Sequence, residues 1–438
     1  MHAAHSWLSL IAFLLITCLL LHLINIFCVK TDTSRYLMLD ELRNSNDIDI
    51  LFVGSSPIYY GIDPAIIQSE TGMKAFDAAV GNAGLEGVLA LTELAFESNH
   101  PKYVICALEP DMLLSLQESE EAEVRIMPML SPKTAVHYLS ELLYSDNRFL
   151  ARLFYFRFMP VDSPDDLFKS IRIRFNPAPY IEEMNQLLTD TPYRGSGYHE
   201  MLLQPPDGGL FSTRLRIPSS DVLDEFPQLT KDRILRLQAL CKKNSAQFLL
   251  SILPLPAPSI LSSLKTMQVC DILEEFCANH SISFINASRA KPDWLPDLDQ
   301  YFVDIYHLNA EGASIFSRSM SSLIQQMELG ASPASFQFSS WNDYLDHSKR
   351  IFSVYAVMEN SHDFCAVTAG CICGTDIMPY YKFDQVLEDG TMETLQDWST
   401  DNVYSFEAGS NFHSTIAVRA ALDAEGNGEM YYLLSGTP

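Results

Sequence analysis

The chain has 438 residues, more than a single hydrophobic core ordinarily serves, so its length favours two folded units. Hydrophobic residues make up 47% of it and charged residues 19%, a composition typical of globular proteins that excludes extensive disorder. Its 29 Lys and Arg against 55 Asp and Glu leave a formal net charge of −26, which repels phosphate groups and argues against nucleic-acid binding.

The first predicted element is a membrane anchor. Residues 1–29 contain no Asp, Glu, Lys or Arg, and residues 7–29 (WLSLIAFLLITCLLLHLINIFCV) reach the ~20 apolar residues that cross a bilayer as a helix. No small-residue cleavage site follows Cys28, so the segment is interpreted as an uncleaved single-pass anchor. The basic residues Lys30 and Arg35 follow it, which by the positive-inside tendency favours a cytoplasmic domain.

Residues 30–335 are predicted to form one α/β domain, because apolar strand patterns alternate with helical ones after a polar stretch at 30–46. The predicted strands cover 48–53, 74–80, 103–108, 247–253 and 282–286. The first predicted helix begins at the Asp63-Pro64 cap and ends at Gly72, and the second covers 85–98. The third runs from a Thr230 cap to Lys243, the fourth covers 264–279, and the last begins at an Asn309 cap. This alternation is typical of a doubly wound parallel sheet. Residues 115–220 interrupt it, with a helical piece at 134–158, and are interpreted as an insertion that forms a lid or substrate wall.

Residues 336–438 are predicted to be a small all-β module with no helical stretch. Its strands are expected at 351–358, 365–371, 380–387, 414–420 and 430–434. The module's aromatic residues could stack on sugar rings or form its core, and the core is favoured (Trp341, Tyr355, Tyr380, Tyr381, Phe383 and Trp398).

The cysteines form no regular framework. Cys106 falls in a predicted buried strand, where it acts as a small hydrophobe. Cys371 and Cys373 could bind a metal, but no second pair or histidine with zinc-site spacing accompanies them. No nucleotide-binding glycine motif occurs either, so neither a metal nor another cofactor is predicted.

The first candidate site segment is Gly54-Ser55-Ser56, at the carboxyl end of the first predicted strand. In open α/β sheets this edge is where ligands bind, because the loops there converge with helix N-termini. A serine on this turn is a candidate nucleophile; the alternative is a serine that only caps the next helix.

The second candidate segment runs from Asp304 to Asn309, just before the last predicted helix. A carboxylate three residues before a histidine can hold the imidazole, so that the other ring nitrogen of His307 takes a proton from a hydroxyl nucleophile. An Asp-x-x-His pattern is common by chance, and helix capping is the alternative role.

Taken together, the two segments resemble the first and last sequence blocks of the SGNH (GDSL-like) hydrolases. The stretches GSSPIYYGIDP, SILPLP and HLNAEGASIFS fit that layout, and the resemblance covers residues 47–328. It implies a flavodoxin-like three-layer α/β/α sandwich in which Ser56 is the nucleophile, His307 the general base and Asp304 the group that orients His307.

The middle blocks of the family fit this sequence less well. The resemblance implies an oxyanion hole made by the amide of Ser56 together with a Gly amide and an Asn side chain. Gly81 or Asn82, which follow the second predicted strand, are the candidates for a donor there; the alternative is that the glycines of this stretch only make the turn. Where the family has Gly-x-Asn after the third strand, this chain has Glu109-Pro110-Asp111. A carboxylate beside a forming oxyanion opposes it unless it is protonated or turned away.

The anchor and the weak middle blocks are similar to bacterial cell-envelope members of the superfamily, namely polysaccharide O-acetylation and teichoic-acid D-alanine transfer proteins. That resemblance implies a serine esterase or O-acyltransferase on a cell-surface glycan, an extracytoplasmic domain on the bacterial membrane, and a membrane-bound O-acyltransferase partner. The alternative is a non-catalytic envelope protein that binds glycan or such a partner.

Overall fold

The computed structural model describes residues 12–13, 16–17, 20, 33–114, 119–127, 130–145, 161–206, 225–256, 264–360, 364–387, 389–407 and 415–435. Two compact units share the chain: residues 1–203 with 227–250, and residues 204–226 with 251–438. Within the described ranges no helix combines the length and the apolar character needed to span a bilayer. Most of the anchor segment 7–29 lies outside the described residues, so the anchor stays a prediction.

A five-stranded sheet underlies the α/β part of the chain. Its strands are β1 (Ile50–Gly54), β2 (Ala75–Ala79), β3 (Tyr103–Leu108), β6 (Gln247–Ile252) and β7 (Ser283–Asn286). They are ordered β2-β1-β3-β6-β7, the order of doubly wound flavodoxin-like sheets, and β1 pairs in parallel with both neighbours. The predicted parallel sheet is confirmed; the three-layer arrangement stays a prediction.

Strand β1 is buried along its whole length, as expected for a central parallel strand covered on both faces. Phe52 lies opposite Asp77 of β2 and Ile105 of β3. Cys106 of β3 is fully buried, as predicted.

The first unit also contains helices, several of which lie within the predicted insertion. They are α1 (Thr33–Asn44), α2 (Ser56–Gly61), α3 (Pro64–Thr71), α4 (Leu85–Ser98), α5 (Pro110–Leu114), α6 (Glu120–Ile126), α7 (Pro132–Ser145), α8 (Pro164–Phe175), α9 (Ile181–Leu187) and α10 (Gln228–Lys243). The caps predicted for α3 are confirmed: the Asp63 side chain accepts from the Ala65 amide at 2.9 Å, and Gly72 ends the helix with a positive φ. Residues 146–158 of the predicted helix 134–158 lie outside the described residues.

Two features of this unit differ from the sequence analysis. No helix was predicted in the polar stretch 30–46, yet α1 forms there and buries Leu37, Met38, Leu39 and Leu42 against α4 and β2. Thr230 does not cap α10. The helix already begins at Gln228, and the buried Thr230 hydroxyl donates to the Leu113 carbonyl at 3.1 Å.

A short hairpin covers the edge strand of the sheet. Strands β4 (Tyr193–Gly195) and β5 (Tyr198–His199) are joined by a turn whose Ser196 carbonyl accepts from the amide of Asp77 at 2.9 Å. Gly197 lies directly on that strand: a Cβ added there would be 1.9 Å from the Asp77 carbonyl oxygen. The hairpin therefore occupies the open edge of β2, which would otherwise expose backbone groups.

Replacing Gly197 by alanine is expected to lower the free energy of unfolding by roughly 3 kcal/mol or more, because the methyl group collides with the β2 backbone. Gly195→Ala is the matched control, since Gly195 also has a positive φ but open space around it. That control is expected to lose only the ~1–2 kcal/mol of the left-handed backbone. Chemical denaturation of both variants measures the difference, and equal losses would contradict the close contact.

Asp77 is a buried carboxyl group in the middle of β2. It is fully buried, and among the described residues neither of its carboxyl oxygens has a hydrogen-bond partner. Burial raises the pKa of Asp77 well above its usual value, and the nearby charge of Asp63 raises it further. The folded protein therefore holds a proton on Asp77 that the unfolded chain releases above its pKa of ~3.9.

This proton makes the stability of the protein depend on pH. Its stabilising contribution is fully present below the unfolded pKa of ~3.9 and is lost as the pH rises toward the raised pKa of the folded state. Asp77→Asn, which cannot ionise, is therefore expected to gain stability relative to wild type as the pH rises from 4 to 8. Denaturation midpoints of both proteins at several pH values measure this, and a constant difference across that range would contradict it.

The second unit contains the remaining part of the α/β domain and the C-terminal strands. Its helices are α11 (Leu264–Asn279), α12 (Ala310–Glu328) and α13 (Trp341–Ser348). Its antiparallel strands are β8 (Ile351–Asn360), β9 (Phe364–Cys373), β10 (Tyr380–Val386), β11 (Met392–Ser399), β12 (Val403–Glu407), β13 (Thr415–Ala421) and β14 (Met430–Ser435). They form two sheets, ordered β11-β10-β13-β14 and β12-β9-β8.

The predicted β-rich C-terminal part is confirmed, but it does contain a helix. Ser340 caps α13 by accepting from the Asp343 amide at 3.1 Å, and Trp341 and Leu345 are buried. Strands β11 and β12 were missed, because β11 is largely exposed and lacks the apolar alternation of a half-buried strand.

Three of the six named aromatic residues of the module are buried, in line with the core role favoured from the sequence. Trp341, Tyr381 and Phe383 are buried, and Phe383 has no exposed surface. The other three named aromatics are partly exposed (Tyr355, Tyr380 and Trp398).

Candidate active site

The turn after β1 places two serines at the carboxyl edge of the sheet. Gly54 ends the strand so close to β3 that an added Cβ would lie 2.7 Å from the Ala107 carbonyl oxygen. Helix α2 then begins at Ser56, with Pro57 in its first turn. Ser55 is buried at the N-cap, whereas Ser56 keeps part of its surface exposed. Of the two hydroxyls, that of Ser56 is the more accessible to a substrate.

The hydroxyl of Ser55 has a defined partner, since it donates to Glu109 Oε1. Glu109 directly follows β3, where the Gly-x-Asn of the resemblance would begin, and Pro110 then opens the short helix α5. Ser55 gives no side-chain cap to α2, so the capping role considered for this serine is not the one observed. The Glu109 carboxylate is thus hydrogen-bonded to the residue that directly precedes the candidate nucleophile.

The oxyanion candidates Gly81 and Asn82 follow β2 at the same edge. Gly81 is buried, and an added Cβ would lie 3.1 Å from the Tyr59 hydroxyl. Asn82 is exposed with φ of 59°, and its side-chain amide donates to Glu121 Oε2 at 2.8 Å. This contact directs the Asn82 amide group toward α6, so it must be released before it can serve an oxyanion.

Asp304 and His307 form a hydrogen-bonded dyad. His307 Nδ1 lies 2.8 Å from Asp304 Oδ2, while Asp304 Oδ1 accepts from the amides of Tyr306 and His307 at 2.8 and 2.9 Å. Burial alone would raise the pKa of Asp304, but the His307 ring and the two amides outweigh it and hold that pKa below its usual value.

A charged carboxylate at this position needs a donor, so Nδ1 of His307 carries the ring proton. Nε2 is then the nitrogen that accepts a proton in the neutral imidazole. This tautomer is the one required of a general base.

The dyad lies on a short closed loop. Phe302 bridges to Leu308, and the Val303 amide donates to the His307 carbonyl at 2.9 Å. Asn309 then caps α12, as predicted, by accepting from the Gly312 amide at 2.9 Å. Helix capping therefore belongs to Asn309, which leaves Asp304 to hold His307.

The predicted triad is divided between the two units. Ser56, Gly81 and Asn82 belong to the first unit, and Asp304 and His307 to the second. The structure brings Asp304 and His307 together; the pairing of His307 with Ser56 stays a prediction. The Ser55–Glu109 and Asn82–Glu121 contacts were not predicted, although Glu109 was visible as a departure from the family pattern.

Metal binding was considered for Cys371 and Cys373. Their Sγ atoms lie 3.6 Å apart on β9, and both are free thiols. Across the described ranges, no group of three or more His, Cys, Asp or Glu side chains is arranged to hold a metal ion.

No protein-family model matches this chain, and no curated protein does. Among solved structures it is similar to a putative acylhydrolase from Bacteroides fragilis NCTC 9343, at 13% identity and a TM-score of 0.31, covering 67% of this chain and 92% of that chain. It is also similar to a GDSL-like lipase from Bacteroides thetaiotaomicron VPI-5482, at 9% identity and a TM-score of 0.32, covering 68% of this chain and 100% of that chain.

Proposed function

We propose that this protein is a membrane-anchored serine esterase or O-acyltransferase of SGNH type that acts on cell-envelope polysaccharide. The observation that carries the proposal is the Asp304–His307 hydrogen bond of 2.8 Å on a closed loop, which prepares His307 as a base. Ser56, at the carboxyl edge of β1, is the nucleophile that this base serves. The anchor is predicted from the apolar segment 7–29, and the polysaccharide substrate and an acyltransferase partner are implied by the family resemblance.

In the first half of the reaction, the Ser56 oxygen attacks the acyl carbonyl carbon while its proton passes to His307 Nε2. The tetrahedral intermediate collapses when His307 returns that proton to the departing alkoxide, which leaves an acyl-serine. In the second half, a sugar hydroxyl or water loses its proton to His307 and attacks the acyl carbon. Ser56 regains the proton as it departs, and Asp304 stabilises the imidazolium in both halves.

A non-catalytic role has its own supporting observations. Glu109 lies beside the candidate nucleophile through its bond with Ser55, and Asn82 is engaged by Glu121. With these contacts in place the Asn82 side chain is not available as an oxyanion donor, and Glu109 adds a carboxylate next to the candidate nucleophile. The second candidate function is therefore an envelope scaffold that binds glycan without cleaving or transferring an ester.

Covalent labelling with a fluorophosphonate separates the two functions. The wild-type protein is expected to be labelled, and Ser56→Ala is expected to lose the label together with p-nitrophenyl acetate turnover, a fall of at least ~10³-fold. His307→Ala is expected to behave in the same way, because the serine then has no base. Ser55→Ala is the matched control and keeps the label. Absence of labelling in wild type would favour the scaffold.

Glu109→Gln tests whether the carboxylate suppresses hydrolysis. The substitution removes the charge and supplies an amide donor at the end of β3, next to Ser55, so kcat for p-nitrophenyl acetate is expected to rise ~10-fold or more. The upper limit is the ~10²–10³ that one oxyanion donor contributes. Glu109→Ala, which removes the charge without adding a donor, is expected to rise less. A fall in kcat for Glu109→Gln would instead assign the carboxylate a positive role.

A further inference from the structure

A cavity of about 310 Å³ lies within the second unit. Its lining includes Pro254 and Leu255, which follow β6, and Ala287 and Ser288, which follow β7. Residues of α13 and Arg350 line it as well. The cavity therefore lies at the carboxyl ends of two parallel strands, where sheets of this kind bind ligands.

Three charged side chains form one connected group in the cavity wall, here termed the Arg350 cluster: Arg350, Asp297 and Asp299. The Arg350 guanidinium donates to Asp297 Oδ2 at 2.8 Å and to Asp299 Oδ2 at 2.9 Å. It also lies 4.3 Å from the centre of the Phe352 ring, which fixes the plane of the guanidinium. The cluster thus presents planar donors and acceptors in one fixed arrangement.

The rest of the wall has an apolar part and a polar part. Leu255, Leu295, Leu298 and Phe302 form the apolar part, together with prolines at 254, 292 and 296, and Ser288, Tyr344, His347 and Ser348 add polar groups. Polar groups placed beside apolar ones are typical of small-ligand sites, and this volume is at the lower end of their ~300–1,000 Å³ range. The cavity therefore suits a single ring rather than a long chain segment.

Charge decides which kind of ring is accepted. Two carboxylates against one guanidinium leave the cluster with a net negative charge when the neighbouring His347 is neutral, and the whole chain carries −26. A carboxylate or phosphate on the ligand is repelled here. Hydroxyl groups both donate and accept, so two adjacent hydroxyls match a guanidinium beside a carboxylate.

We propose that this cavity is a subsite for one uncharged pyranose ring, with its carbon face on the apolar wall and two neighbouring hydroxyls on the Arg350 cluster. The proposal rests on the proposed function, since it names the polysaccharide as one with neutral sugar units. It assigns a role to a part of the chain that the acyl-transfer chemistry does not use.

Binding of defined sugars to the full-length protein in detergent tests the subsite by titration calorimetry. The probes are the neutral trisaccharides maltotriose, cellotriose, mannotriose and N,N′,N″-triacetylchitotriose, with trigalacturonate as the charged comparison. At least one neutral probe is expected to bind, and trigalacturonate at least ~10-fold more weakly because of the like charges. Failure of every neutral probe, or equal binding of trigalacturonate, overturns the proposal.

Variants of the cluster locate the binding. Arg350→Gln and Asp297→Ala are each expected to raise the Kd of the neutral probe at least ~10-fold, because polar partners of the ring are lost. The Asp297 side chain is 60% exposed, so its removal leaves the fold intact even where Arg350→Gln does not. Asp376→Ala is the control: Asp376 pairs with Lys349, the neighbour of Arg350, but does not line the cavity. Wild-type affinity in Asp297→Ala would place the sugar elsewhere.

Failure of the proposed function is distinguishable from failure of this subsite. Ser56→Ala is expected to keep wild-type sugar affinity, and Asp297→Ala is expected to keep fluorophosphonate labelling. Sugar binding that depends on the cluster in a protein that is never labelled would support the subsite and overturn the enzyme. Labelling without any binding of neutral sugar would support the enzyme and overturn the subsite.

Discussion

The candidate active site depends on the close approach of Gly54 to strand β3. Only a residue without a Cβ fits there, because an added carbon would lie 2.7 Å from the Ala107 carbonyl oxygen and 2.9 Å from Ile58. This packing makes β1 end at Gly54 and lets α2 begin two residues later. As a result the Ser55 hydroxyl meets Glu109 at the end of β3, and Ser56 stands at the start of the helix.

Three carboxylates belong to, or lie next to, the candidate site residues, and each one has a hydrogen-bonded partner. Glu109 accepts from Ser55, Glu121 from Asn82, and Asp304 from His307 and two backbone amides. The Asp304 contact orients the His307 ring, whereas the other two engage the Ser55 hydroxyl and the Asn82 amide. An enzyme with this arrangement must move or neutralise Glu109 during the reaction, while a binding protein has no such requirement.

The two units also differ in whether their acidic side chains have hydrogen-bond partners. In the first unit, strand β2 buries the uncompensated Asp77 under a hairpin that touches the strand through Gly197. In the second, both carboxylates of the Arg350 cluster accept from the Arg350 guanidinium and line a cavity at the ends of β6 and β7. A buried carboxyl without a partner lowers stability, whereas hydrogen-bonded carboxylates avoid that cost.

Strongly patterned elements were predictable from the sequence alone. Strand Tyr103–Leu108 and helix Leu85–Ser98 have the predicted bounds, because continuous apolar runs and helical periodicity report burial on one or both faces. The Asp63-Pro64 and Asn309 caps were predictable for a local reason, since a capping side chain bonds only to the next turn. The Asp304–His307 bond is likewise local, three residues apart in the chain.

Contacts between distant segments were decided only by the tertiary structure. Helix α1 is polar in composition, and its few apolar residues are buried only through contacts with α4 and β2. The Thr230 hydroxyl donates to the Leu113 carbonyl and does not cap its own helix. The Ser55–Glu109 bond and the Arg350 cluster join residues more than fifty positions apart. By itself the sequence determined the strands of the five-stranded sheet, the Asp63 and Asn309 caps and the dyad, because local spacing defines them. The partners of Ser55, Asn82 and Arg350 depended on chain packing, which no short pattern records.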